Sequence, residues 1–355
     1  MVSEAWRKGK TESMKIAVVV PVKNEMDGLR ELVTSLQKQA SAGDEILFVD
    51  AGSTDGTQEL IREFAVRDSR IRLLISVGAF PGKARNVAIR NTDADIIAQI
   101  DGGNHPDEHW LHNVVAPILR GETDYSMGAV AVLPMHRRFL GRVMDMGAVY
   151  GASLHRGKFR DASDGEPAGG ASVAYRRWIW EKTGGFPEWL RFGSDPLYVR
   201  RVMQLKPRVA FAADALLYWQ LGPTLRHVLR RQRHREEDKF HDPANLRYGR
   251  SALIARGLLL ILIVAAFVIP LLWIPVLLSL GALLALQIAK SLKTYCNRVN
   301  PGPADLLRAL LIFPFIDGLG LIARFVGTVQ GLFWLRKARG EWAARRRYVT
   351  GAFPA

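Results

Sequence analysis

Residues 14–220 carry short, continuous apolar runs, separated by stretches in which apolar positions recur every three or four residues. Such a run predicts a strand buried on both faces, and the longer spacing predicts a helix with one apolar stripe. The runs at 15–21 (KIAVVVP), 45–50 (EILFVD), 71–76 and 95–101 are read as strands. Helices are predicted at 26–40, through Leu29, Leu32, Val33 and Leu36, and at 55–66, 82–90 and 106–119. Strand–helix alternation at this spacing argues for an α/β fold: a mostly parallel sheet flanked by helices. Beyond residue 170 the pattern is mixed. It gives a helix at 196–204, strands at 209–212 and 215–219, and a basic helix at 222–239. Residues 133–168 have no regular period and are read as a mobile loop.

The pattern changes at residue 257. Residues 257–289 contain no charged side chain. A single straight helix of that length would run to about 50 Å, well beyond the roughly 30 Å hydrocarbon core of a bilayer. Pro270 and Pro275 interrupt its middle, so a hairpin of two short spans is expected. Residues 309–335 are apolar but carry Asp317 and Arg324. They are read as re-entrant or interfacial helices, the alternative being a true span with Asp317 and Arg324 paired. The expected order is a flexible segment at 1–13, a catalytic domain at 14–240, a juxtamembrane segment at 241–256, the hairpin at 257–289, a cytoplasmic loop at 290–308, the helices at 309–335 and a basic cytoplasmic tail at 336–355.

Charge supports that division. The chain of 355 residues has a formal net charge of +15. Segments 226–256, 290–308 and 336–347 together hold 19 basic and 6 acidic residues, a surplus of 13. Residues 1–225 are almost balanced. All three basic segments flank apolar stretches, the positive-inside signature of a membrane protein with its polar parts in the cytoplasm. A basic groove for nucleic acid would need its charge on the folded domain instead, so nucleic acid is excluded as the main partner. Cys296 is the sole cysteine, which excludes an intramolecular disulfide. Residues 1–13 are polar and show no signal peptide.

Sites in open α/β sheets form at the carboxyl ends of strands, and the candidate residues cluster there. Pro21, Lys23, Asn24 and Glu25 end the first strand. Asp50, Gly52 and Ser53 end the second, where Ser53 or Asp55 could equally cap a helix. Lys83 and Arg85 open a helix, a place suited to a diphosphate or to an ordinary basic turn. Asp101 ends the fourth strand, where a carboxylate could hold Mg²⁺ or Mn²⁺ beside substrate phosphates or form an Asx turn. Asp195 lies between a loop and a helix, as a general base or as a cap before Pro196. Gln232 and Arg235 share a helix face and could close over a phosphate or lie on a membrane surface.

Taken together, PVKNE (21–25), VDAGSTDGT (49–57), GKARN (82–86), IDGGNHPDEHWL (100–111), GGASVAYRR (169–177), GGFPEWLRFGSD (184–195) and RRQRHR (230–235) resemble family 2 glycosyltransferases of the GT-A, Rossmann-like fold. The resemblance spans about residues 14–240, and the apolar C-terminal part is similar to membrane-attached members. It implies an inverting glycosyltransferase using a nucleotide-sugar donor, with uridine the first base to consider, and a lipid-linked or glycan acceptor. Asn24, Glu25, Asp50 and Ser53 would then meet the nucleoside, and Lys83 and Arg85 the diphosphate. Asp101 would be the first Asp of the Asp-x-Asp metal motif and Asp195 the base. Gly170, Gln232 and Arg235 would serve the acceptor or the diphosphate. The sequence departs from the family pattern at Gly103, in place of the second Asp, at Ser194, in place of the usual Glu before Asp195, and at Glu236, in place of the motif's Trp. Two rival readings remain: a non-catalytic nucleotide-sugar-binding subunit of a polysaccharide assembly complex, and a processive polysaccharide synthase.

Overall fold

The computed structural model describes residues 14–132, 170–219, 225–238, 240–241, 258, 261–299, 303–337 and 339–350. They fall into two units, one within residues 14–219 and one within residues 225–350.

The first unit is built as β1 (Ile16–Val22), α1 (Met26–Gln39), β2 (Glu45–Asp50), α2 (Thr57–Arg67), β3 (Ile71–Ile75), α3 (Pro81–Arg90), β4 (Ile96–Ile100), β5 (Asn104–Pro106), α4 (Trp110–Leu119), β6 (Tyr125–Val132), β7 (Ser172–Arg176), α5 (Arg177–Thr183), α6 (Ser194–Gln204) and β8 (Val209–Trp219). Its strands form one sheet in the order β3-β2-β1-β4-β7-β6-β8-β5. The pairings β1–β2, β1–β4, β2–β3 and β6–β8 are parallel. β7 runs antiparallel between β4 and β6, and β5 runs antiparallel to β8.

The continuous apolar runs follow from cores on both faces of the sheet. Val18, Val20, Ile46 and Phe48 pack with Leu29, Leu32 and Trp110 on one side. Ala17, Val19, Leu47 and Val49 pack with Ala84, Ala88, Ile179 and Val202 on the other. A strand with two buried faces has no polar side to alternate with, so β1 to β4 and the helices between them lie where the pattern predicts. The strands expected at 209–212 and 215–219 are one strand, β8, whose register against β6 shifts between Gly128 and Ala129. The helix expected from 106 starts at Trp110, because Asn104–Pro106 are taken by β5. The loop expected at 133–168 lies outside the described residues.

The second unit contains α7 (Leu225–Asp238), a 3-10 turn (Pro270–Leu272), α8 (Trp273–Val299), α9 (Pro303–Lys337) and α10 (Arg339–Thr350). The helical stretch at 261–266 is broken by a turn at 267–269 before Pro270, where the prolines predict an interruption. Two expectations change. Most of the loop at 290–308 is helical, because α8 runs on to Val299 and α9 begins at Pro303. In place of a helix pair at 309–335 there is one unbroken helix, α9, with Pro314 inside it.

Ser291 and Gln287 of α8 donate to the buried carboxylate of Asp317 on α9, at 2.7 and 3.5 Å. α7 lies against α9 along a line of glycines. A Cβ on Gly327 would stand 2.1 Å from the Arg233 carbonyl oxygen, and one on Gly331 2.2 Å from the Phe240 ring. α8 and α9 each contain a stretch long and apolar enough to cross a membrane, at Pro270–Lys293 and Leu306–Trp334.

Candidate active site

The carboxyl ends of β2, β1 and β4 lie side by side, so the loops after them share one edge of the sheet. The first two loops are laced together. Asn24, in the left-handed region at φ 56°, donates its backbone N–H to Ser53 Oγ at 2.8 Å and accepts from the Thr54 N–H at 2.9 Å. The Glu25 N–H donates to Thr57 Oγ1 at 3.0 Å. Asp55 accepts from the Met26 N–H at 3.1 Å and the Thr57 N–H at 3.1 Å, so one carboxylate serves the starts of α1 and α2. Gly52 holds φ +92°, which a side chain would resist.

Asp50 is turned inward and is 0% exposed. Its Oδ1 accepts from the Gly52 N–H, the Ser53 N–H and Gln58 Nε2 at 2.8, 2.9 and 2.6 Å, and its Oδ2 from the Ser53 hydroxyl. Burial alone would raise its pKa, but these bonds hold it below the ordinary carboxylate value. Its acceptor positions are occupied by its own loop. Pro21 and Ser53 border this edge, and Lys23 and Asn24 are exposed.

The third loop meets a different set of partners. Arg85 of α3 is 1% exposed and reaches two carboxylates with separate nitrogens. Nη2 donates to Asp101 Oδ1 at 2.6 Å and Nη1 to Asp195 Oδ1 at 2.5 Å. The expectation that Arg85 lines a diphosphate thus meets a guanidinium buried beneath the site and engaged by its two acids, while Lys83, two residues earlier, is exposed. Asp195 lies in the first turn of α6, behind a Gly193 cap at φ 79°, and its side chain is 28% exposed. Burial pushes its pKa up to about 6, with Arg85 opposing and Asp101 adding to the rise.

The walls around Asp195 leave no slack. A Cβ on Gly170 would lie 2.3 Å from Asp195 Oδ2. The Gly170 carbonyl accepts from Gln99 Nε2 at 3.0 Å, and Gln99 Oε1 accepts from the Tyr175 hydroxyl at 3.0 Å. Gly82 fits α3 against the loop before α6, since a Cβ there would meet the Pro187 carbonyl at 2.6 Å. Asn86, next to Arg85, bonds both the N–H and the carbonyl of Phe186 at 2.9 Å. One short helix therefore carries the guanidinium that holds Asp195 and the amide that holds its loop.

Glu25 stands across from Asp101. A Cβ on Gly103 would lie 3.0 Å from Glu25 Oε2. The Glu25 carboxylate thus borders the space a side chain at 103 would occupy. Burial first, then Asp101 and Asp55, push its pKa up to about 7. Gln58 and Gln99 stand out in the sequence by no role, and Asn86 stands in GKARN (82–86) without a role of its own. A glutamine inside the apolar run IIAQI was the one visible signal, since a polar group buried in a strand needs partners.

Gln232 and Arg235 belong to the second unit. Gln232 Oε1 accepts from Arg324 Nη1 of α9 at 3.4 Å, and it fills the notch left by Gly320, where a Cβ would stand 2.6 Å away.

Residues 17–181 match the family described as Glycosyl transferase family 2. Over 206 residues the chain is 26% identical to the glycosyltransferase AglE of Haloferax volcanii, which covers 57% of this chain and 65% of that protein. Over 241 residues it is 24% identical to the probable glycosyltransferase YdaM of Bacillus subtilis, covering 65% of this chain and 56% of that protein. The chain thus spans less than two thirds of either relative. Among solved structures, the mannosyltransferase PcManGT from Pyrobaculum calidifontis, in complex with GDP-Man and Mn²⁺, aligns over 91% of this chain and 88% of its own at 18% identity, with a TM-score of 0.51. That likeness bears out the expected α/β architecture, and the sheet is mostly parallel as expected, with three antiparallel pairings.

Proposed function

We propose, from the match of residues 17–181 to glycosyl transferase family 2, that the chain is an inverting glycosyltransferase with Asp195 as its base. The observation that carries this reading is the pair Asp101 and Asp195, brought to one edge of the sheet and joined through a single buried guanidinium. Asp195 Oδ1 is held by Arg85, and among the described residues no hydrogen bond reaches Oδ2. Oδ2 takes the proton from the acceptor hydroxyl as its oxygen attacks the anomeric carbon. The bond from that carbon to the nucleoside diphosphate breaks with its electron pair, and configuration inverts.

The donor is a nucleoside diphosphate sugar. The laced loops of Asn24 and Ser53 bound the nucleoside, with Asp50 shaping its loop from beneath. Lys83, exposed at the first turn of α3, serves the diphosphate. A divalent ion, Mg²⁺ or Mn²⁺, fits the residues present: the space beside Gly103 is bordered by the Glu25 carboxylate, which faces Asp101 and replaces the second Asp of the usual motif. When bound, the ion neutralises charge developing on the leaving diphosphate. With Glu25 in that place, Gly103 no longer favours a non-catalytic subunit.

The second unit attaches the chain to a membrane. Leu271 of the 3-10 turn and Leu277, Leu278, Leu286, Leu311, Phe315 and Ile322 of α8 and α9 are all exposed, and an apolar surface of that extent suits lipid rather than water. Eight of the 14 residues of α7 are Arg, Asp or Glu, so α7 cannot lie in hydrocarbon. Because α7 packs on Gly320 and Gly327, and Phe240 just beyond it on Gly331, that half of α9 lies at the polar interface with it. This arrangement keeps the basic flanks on the cytoplasmic side and suits a lipid-linked or glycan acceptor.

The test uses the full chain in membranes, with nucleotide release measured for uridine and guanosine diphosphate sugars, with and without Mn²⁺. Release that Asp195→Asn abolishes supports the reading. Equal release by the variant and the wild type rejects Asp195 as the base.

A further inference from the structure

The donor end and the acceptor end of the proposed site are joined through one residue. Arg85 spans them with its two terminal nitrogens, 2.6 Å from Asp101 and 2.5 Å from Asp195. A guanidinium is planar, so the spacing between its nitrogens is fixed. Carboxylate oxygens bonded to the two ends cannot drift apart while both bonds hold. Arg85 itself has little freedom: its side chain is 1% exposed, it faces the Phe186 ring at 5.5 Å, and Asn86 pins the backbone of Phe186. On the far side, Gly170 closes on Asp195 Oδ2. Two observations speak against a direct diphosphate contact. The guanidinium is buried, and both terminal nitrogens already have carboxylate partners.

We propose that Arg85 is a positioning residue: it fixes the base Asp195 relative to Asp101, and so relative to the diphosphate end of the donor. This rests on Asp195 being the base. Arg85 acts through Asp195 and touches neither substrate. A residue of this kind is needed for turnover and contributes little to holding the donor, whereas a diphosphate ligand is needed for both.

The experiment compares wild type, Arg85→Lys, Arg85→Gln, Asp195→Asn and the double variant Arg85→Gln/Asp195→Asn, each as the full chain in detergent. It measures kcat and KM for nucleotide release and donor affinity by calorimetry. Arg85→Gln is expected to lower kcat about 100-fold while donor affinity stays within about threefold. Arg85→Lys, which keeps the charge but loses the fork, is expected to recover part of that loss. In the Asp195→Asn background, Arg85→Gln is expected to cost almost nothing further, as for residues acting as a unit. A rise in donor KM at unchanged kcat, or losses that multiply in the double variant, overturns the positioning role alone. Wild-type turnover by Asp195→Asn overturns the base assignment and this proposal with it. If Arg85→Gln does not fold, the Lys variant and its structure decide. An Asp195 carboxylate displaced from Gly170 supports the proposal, and one that stays in place against full loss of rate overturns it.

Discussion

Asp50 and Asp195 are both acids at the same edge of the same sheet, and they are held in opposite ways. Asp50 is sealed, with four donors from its own neighbourhood on its two oxygens. Asp195 is held through one oxygen by Arg85, has its other oxygen beside Gly170, and remains 28% exposed. A carboxylate whose acceptor positions are filled by the fold sets the shape of a loop. A carboxylate gripped on one side only can still exchange a proton. The type of residue and its place at a strand end do not separate these roles; its bonds do.

The strongest test of that contrast is removal of the charge from Asp195. Asp195→Asn is expected to lower kcat by about 10³-fold, within the range for loss of a general base, with the fold unchanged by circular dichroism. Asp50→Ala is expected to behave in the opposite manner. It strands several buried donors and is expected to cost about 2 to 3 kcal/mol of stability, read as a lowered unfolding midpoint. If Asp50→Ala unfolds like the wild type and loses only donor affinity, the two acids are alike after all.

pH separates them further. Asp195 must be ionised to accept a proton, and burial raises its pKa to about 6. At saturating Mn²⁺, which keeps Glu25 ionised, kcat/KM is expected to fall tenfold per pH unit below that value and to level off above it. Asp50, held below the ordinary carboxylate range, adds nothing to that limb, so a folded Asp50 variant is expected to keep the same profile. The smallest expected effect concerns Glu25. Glu25→Gln is expected to raise the Mn²⁺ concentration for half-maximal nucleotide release about fivefold, because the donor's phosphates share the ion with the protein. An unchanged Mn²⁺ requirement would remove Glu25 from the metal's neighbourhood.

The sequence showed strands where both faces are buried, since β1, β2 and β4 leave an unbroken apolar trace. It hid β6 and β7. YSMGAVAV and SVAYR mix small and polar residues because part of their packing is against other small residues: a Cβ on Gly128 would stand 2.2 Å from Ser172 Oγ. The site was visible as a set of strand-end motifs, while the burial of its members was not. Arg85 looked like a surface cation because α3 is short and basic. Its neighbours Gly82, Ala84 and Ala88, all small and all buried, were the hint that this helix is enclosed on most sides. The pairing of Glu25 with the gap at Gly103 joins positions 78 apart and emerges only when β1 and β4 are laid side by side.

The glycine line between α7 and α9 has a mechanical side. Where most helix pairs meet through side chains that can change rotamer and absorb a small displacement, here the Arg233 carbonyl rests in the notch of Gly327 and the Phe240 ring in that of Gly331. Such a seam works like a toothed rail. A displacement of α9 along its axis therefore has to carry the chain around Arg233 and Phe240 with it or open these contacts.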